Sequence, residues 1–88
     1  DFLVKAGIRY VAGIPGHGCL PLVDALRQRA EEIDVVQVKQ EMSGVHLAEG
    51  FYRVSGQPLA VFTSIGPGAI NTAIGVANAF VDSTPAMV

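Results

Sequence analysis

The stretch DVVQVKQEMSGVHLAEG, residues 34–50, changes its periodicity halfway along. Asp34 to Val38 is an apolar run of strand length, and it reads as a short buried strand. Beyond it Met42, Val45 and Ala48 recur at helical spacing. Glu41 sits where strand gives way to helix. Helix N-caps favour Ser, Asp or Asn, so a glutamate at this junction calls for a reason of its own.

The same strand-to-helix unit repeats on both sides. IRYVAGI (8–14) is an apolar run followed by the turn cluster PGHG (15–18). CLPLVDALRQRA (19–30) is an amphipathic helix with Leu22, Ala25, Leu26 and Ala30 on one face. EMSGVHLAEGFYRVSG (41–56) is a helix ending near Gly56. QPLAVFTS (57–64) is a third strand, IGPG (65–68) a turn, AINTAIGVANAFVD (69–82) a full helix, and STPAMV (83–88) opens a fourth strand. Strands alternating with helices predict an α/β fold with a parallel sheet and right-handed crossovers. Continuous apolar strands predict a sheet covered on both faces. DFLVKAG (1–7) reads as the last turns of a helix closed by Gly7. The chain thus reads as a piece cut at both ends through structured elements.

The chain has 88 residues, half of them hydrophobic, and a net charge of −2. That suffices for one small domain with a core. It offers no electrostatic footprint for nucleic acid or an anionic membrane. No apolar run reaches the roughly 18 residues of a membrane span, and no signal peptide is visible. Cys19 has no partner for an internal disulfide, which fits a cytoplasmic setting.

Three turns follow strand C-terminal ends: PGHG, the Gln40–Glu41 junction and SIGPG (64–68). Ligands of open α/β sheets bind outside those ends, so Glu41 lies on the functional edge between two glycine-rich loops. Gly16 and Gly18 would need a third glycine at position 21 to complete a dinucleotide fingerprint, but that residue is Pro21. No Gly-Lys pair exists, which excludes a P-loop. Gly66 and Gly68 allow close backbone approach of a ligand at a helix start, and Asn71 is the ligand candidate there. Asn71, Gly75, Asn78 and Asp82 form a small or polar stripe beside the apolar stripe Ile70, Ile74, Ala77 and Val81; so much Ala and Gly predicts a buried interface helix. His17, in the first loop, is an acid–base or substrate-contact candidate. His46, five residues past Glu41, points away from it. No cluster of metal ligands is present.

Three stretches together, GIPGHGCLPLVDAL (13–26), VKQEMSGVHLAEGFYRVSGQP (38–58) and TSIGPGAINTAIGVANAFVDSTP (63–85), resemble the N-terminal pyrimidine-binding (Pyr) domain of thiamine diphosphate enzymes of the acetolactate synthase group. The resemblance covers nearly the whole chain. It implies a three-layer α/β sandwich with a mostly parallel sheet. It matches Glu41 to the glutamate that hydrogen-bonds N1′ of the cofactor's aminopyrimidine and favours its 4′-imino tautomer. It matches Ile14, Pro15, Gly16, Pro67 and Asn71 to positions lining the pyrimidine pocket.

The implied enzyme is a transferase or lyase making or breaking a C–C bond next to a carbonyl of a 2-oxo acid or diketone. The implied cofactors are thiamine diphosphate and Mg²⁺, with FAD as an optional addition. The GDG motif and downstream Asn that hold Mg²⁺ and diphosphate are absent here and would lie in a separate C-terminal domain. The implied partners are that domain and a second subunit, in a homodimer or homotetramer. Two departures stand out. Ile65 is inserted into the usual T-S-G-P-G string, and His17 replaces a small residue; both resemble the trihydroxycyclohexanedione hydrolases of inositol breakdown. A Rossmann-type nucleotide module and a non-catalytic assembly domain are the rivals from other classes. Pro21 argues against the first, and an intact Glu41 against the second.

Overall fold

The computed structural model describes residues 1–88. A short helix α1 (Phe2–Lys5) leads into strand β1 (Tyr10–Gly13), a 3-10 turn (His17–Cys19) and helix α2 (Leu20–Gln28). Strand β2 (Asp34–Gln37) passes directly into helix α3 (Glu41–Ser55), and strand β3 (Ala60–Phe62) into helices α4 (Pro67–Ile70) and α5 (Ala73–Val81). The sheet order is β2-β1-β3 and every pairing is parallel, with Val11 opposite Val35 on one side and Ala60 on the other. The expected fourth strand is a single parallel bridge between Ala60 and Met87, in which the Val61 N–H donates to the Met87 carbonyl at 2.7 Å.

The strand order dictates the layers. From β1 the chain moves outward one way to β2 and then back past β1 to β3. Right-handed crossovers therefore put α2 on one face and α3 on the other. The core divides in the same way. Val11, Ala60 and Phe62 point toward Leu26, Cys19 and Ile33, whereas Ala12 and Val61 point toward Val45 and Ala48. This is the parallel sheet covered on both faces that the alternation predicts, and the three-layer α/β sandwich that the resemblance implies. Leu59, Val11 and Val45 are the largest fully buried side chains, each contributing about 1.5–3 kcal/mol by its removal from water.

Two local expectations are corrected. β2 is not buried: it is an edge strand, and Val35 remains 46% exposed. Its two valines follow each other on opposite faces of the strand, and only Val36 packs against the core. The helix expected over residues 69–82 is broken at Asn71–Thr72. The Thr72 N–H and hydroxyl both donate to the Ala69 carbonyl, at 3.2 and 2.6 Å. That carbonyl is the acceptor a continuous helix would need for the N–H of residue 73.

α5 lies parallel to α3, and the stripe of small and polar residues faces α3 rather than another molecule. Asn71 reaches Glu41, the backbone at Gly75 rides over Val45, Asn78 reaches Glu49, and Asp82 pairs with Arg53. The apolar stripe faces outward instead, with Ile70, Ile74 and Val81 exposed. A β-carbon added at Gly75 would stand 2.7 Å from the Val45 Cβ, inside any tolerable contact.

Glycine to alanine in a helix interior normally gains about 1 kcal/mol. At Gly75 the overpacking cost of about 1–3 kcal/mol should reverse that sign. At Gly50 of α3, where an added Cβ meets nothing within 4 Å, the normal gain is expected. Denaturant unfolding of the intact protein carrying Gly75→Ala or Gly50→Ala checks this. A stabilised Gly75→Ala variant would refute the close seam.

Candidate functional site

Glu41 is the first residue of α3, with Gln40 as its extended N-cap (φ −149°, ψ 135°). The Gln40 side chain makes no capping bond, and the Gln40 carbonyl accepts the Ser43 N–H at 3.0 Å. α3 can begin this close to the sheet because Gly44 has no side chain: a Cβ there would meet Val61 Cγ1 at 3.2 Å. The helix start thus seats against β1 and β3, and Glu41 is carried over the C-terminal edge of the sheet.

The loops after β1 and β3 interlock beside it. A Cβ at Gly16 would fall 2.5 Å from the Ser64 Cβ and Oγ, and one at Gly18 would fall 2.8 Å from Ile65 Cγ2. Gly66 adopts φ 65° and ψ −123°, a conformation essentially confined to glycine, and it turns the chain into α4. A Cβ at Gly68 would meet Glu41 Oε2 at 3.3 Å and Ser64 Cβ at 3.7 Å. The Asn71 Nδ2 donates to Glu41 Oε1 at 3.2 Å. Glu41, Gly68 and Asn71 therefore form one constellation, joined through Ser64 to Gly16.

The other expected site residues lie on the same two loops, and none of them hydrogen-bonds Glu41. Ile14 is half-buried; Pro15, His17 and Pro67 are exposed. His17 opens the 3-10 turn. His46 is exposed on α3. Cys19, read from sequence as a small apolar residue, does more than fill space. Its sulfur accepts the Gly16 N–H at 3.2 Å and donates to the Gly16 carbonyl at 3.3 Å, which pins the first loop. No three His, Cys, Asp or Glu side chains group together.

Sequence reasoning missed Glu49. It is only 6% exposed, and both its oxygens are taken: Oε1 by Arg53 at 2.8 Å and Oε2 by Asn78 at 2.6 Å. The Arg53 guanidinium, then the Asn78 amide, hold its carboxyl below the usual carboxylate range. The i, i+4 row Glu41, Val45, Glu49, Arg53 was the available signal.

The hollows of the surface are apolar and lie away from Glu41. The largest, about 630 Å³, is bounded by Tyr10, Val36, Leu47, Phe51 and Val54 between α3 and the edge strand. On this chain Glu41 and Asn71 border an open edge rather than a closed cavity.

Comparison with known proteins agrees with this geometry. The family model for the thiamine pyrophosphate enzyme N-terminal TPP-binding domain matches residues 1–88. The chain is 40% identical over 86 residues to the acetolactate synthase isozyme 3 large subunit of Escherichia coli, covering 98% of this chain and 15% of that protein. It is 37% identical over 86 residues to the acetolactate synthase large subunit of Lactococcus lactis, again covering 98% and 15%. Against the mitochondrial acetolactate synthase catalytic subunit of Aspergillus candidus it is 34% identical over 88 residues, covering 100% and 12%. The chain thus spans about one seventh of the length of the relatives it matches. A carboxylate at the start of α3, two interlocked glycine loops and a match along all 88 residues coincide, and the chain belongs to the thiamine pyrophosphate enzyme family through its N-terminal TPP-binding domain.

Proposed function

We propose that this chain forms the aminopyrimidine-binding part of a thiamine diphosphate-dependent enzyme of acetolactate synthase type, acting on a 2-oxo acid. The carrying observation is the state of the two Glu41 oxygens. Oε1 accepts the Asn71 amide at 3.2 Å. Oε2 has no hydrogen-bond partner in the chain and faces Gly68 across a space that a Cβ would occupy. One oxygen is anchored, and the other is left to share a proton with a ring nitrogen. That arrangement fits the pyrimidine ring of the cofactor.

Bound thiamine diphosphate supplies an electron sink for making or breaking a bond next to a carbonyl. The chain's own residues have simpler tasks. Glu41 holds a proton at Oε2 for N1′ of the ring. Asn71 fixes the rotation of the Glu41 carboxyl group. Ile14, Pro15, Gly16 and Pro67 bound the ring, and the glycines of both loops admit it close to backbone. His17, on the exposed lip of the first loop, contacts substrate.

The remaining parts lie outside these residues in this reading. Mg²⁺ and the diphosphate are held by a C-terminal domain, and FAD is optional. The exposed stripe Ile70, Ile74 and Val81 of α4 and α5 meets a second subunit of a homodimer or homotetramer, and the enzyme works in the cytoplasm.

Glu41→Gln in the intact protein keeps shape and hydrogen bonding but removes the proton. Exchange of the C2 hydrogen of bound cofactor into deuterated water, followed by NMR, should slow by about 10²–10⁴-fold. Cofactor affinity should fall far less. Wild-type exchange in a folded, cofactor-loaded variant would reduce Glu41 to a helix-start carboxylate. His17→Ala should raise the KM for substrate with little change in cofactor affinity; the reverse pattern would move His17 to the cofactor.

A further inference from the structure

The seam between α3 and α5 pairs position with position: Glu41 with Asn71, Val45 with Gly75, Glu49 with Asn78, Arg53 with Asp82. The first and third pairs have the same chemistry. Each is a carboxylate of α3 accepting an amide N–H from the partner helix segment. The first pair lies at the open edge, whereas in the third the carboxylate, Glu49, is buried. Only the buried one is closed on both oxygens.

We propose that Glu49 is a positioning residue, whose buried carboxylate fixes the register of α5 along α3 and so sets the aim of Glu41. The argument is one of exclusion. Sliding α5 by one helical turn, about 5.4 Å, brings either Asp82 or Gly75 opposite Glu49. Asp82 already shares the Arg53 Nη2 with Glu49; moved opposite Oε2 it would offer a second carboxylate and no N–H donor. Gly75 offers no side-chain donor, so Oε2 of the buried carboxylate would lose its partner while Arg53, on α3 itself, still held Oε1, and an unpaired buried carboxylate oxygen is costly. Only the observed register supplies a neutral N–H donor. An ionised carboxylate accepts hydrogen bonds and donates none, so Asn78 must present its Nδ2 and not its Oδ1 to Glu49. Buried polar groups that specify helix register act in this way. Val45 and Gly75 hold the two helices close but resist sliding only through shape. The charged pair Arg53–Asp82 is exposed and contributes little.

The consequence for function rests on the proposed role of Glu41, two turns up the same helix face. Asn71 belongs to the segment that α5 carries, so a shifted α5 withdraws its amide from Glu41. A displacement of about 1 Å at a catalytic group can cost up to about 100-fold in rate.

The test uses the intact protein with an exchanged pair. Asn78→Asp sets a second carboxylate against Glu49. The double variant Glu49→Gln with Asn78→Asp restores one N–H to carboxylate bond with donor and acceptor exchanged, while the carbonyl oxygen of the introduced amide still accepts from Arg53. Two readouts are taken: the Asn71 Nδ2 to Glu41 Oε1 distance in crystal structures, and C2-hydrogen exchange of bound thiamine diphosphate.

Asn78→Asp should lengthen the distance beyond hydrogen-bond reach, about 3.5 Å, and slow exchange by about 10–100-fold. The double variant should restore both. If Asn78→Asp fails to fold, Asn78→Ala, which removes the donor without adding charge, is expected to lengthen the same distance. A folded single variant with the distance unchanged overturns the positioning role, as does a folded double variant in which the distance stays beyond hydrogen-bond reach. Should the distances follow the proposal while exchange in Glu41→Gln matches wild type, the register device stands and the role of Glu41 fails.

Discussion

The approach of α5 to α3 at Gly75 governs the rest of the molecule. With no side chain at that position, the backbone of α5 settles against Val45. Every polar contact along the seam depends on that distance: at larger separation neither Asn71 nor Asn78 could reach its carboxylate. The same principle recurs at the sheet. Gly44 lets the start of α3 sit on β1 and β3, and Gly16 lets the first loop touch Ser64. Small residues at these points convert backbone proximity into side-chain geometry, and a single added methyl group is enough to disturb it.

The proposed function rests on where the seam begins. Its first pair, Glu41 and Asn71, lies beyond the C-terminal ends of the strands, where the chain leaves the sheet into glycine loops. The break between α4 and α5 contributes here. Thr72 caps the Ala69 carbonyl, and Asn71 falls at the break rather than inside a helix. Farther along the seam the buried Glu49 has both carboxylate oxygens hydrogen-bonded; at the outer end Glu41 keeps one carboxylate oxygen without a partner. A rigid inner clamp with an unsatisfied outer group is a suitable arrangement for a residue that has to meet a ligand.

Much of this was legible in the sequence. The switch of period inside residues 34–50 gave the strand-to-helix unit, its repetition gave the parallel sheet, and Gly56 marked the end of α3, where it takes a left-handed φ of 72°. Glu41 and Asn71 were singled out separately, and the structure brings them to one hydrogen bond. What escaped the sequence was tertiary. Periodicity separates the two stripes of α5 but does not say which one faces the protein, and the polar one does because Glu49 and Arg53 await it on α3. The strength of Val35 and Val36 as strand formers said nothing about β2 lying at an edge. The break at Thr72 depends on a hydroxyl choosing a carbonyl one turn back, which competes with the helix in a way no apolar pattern records.

The central claim is that the Glu41 carboxyl group meets the pyrimidine of the cofactor. A crystal structure of the intact protein with thiamine diphosphate bound measures this directly. A Glu41 Oε2 to N1′ distance of about 2.6–3.2 Å, with Oε1 still held by Asn71, is the predicted result. A ring nitrogen bonded to another side chain, with Glu41 turned to solvent, would contradict it.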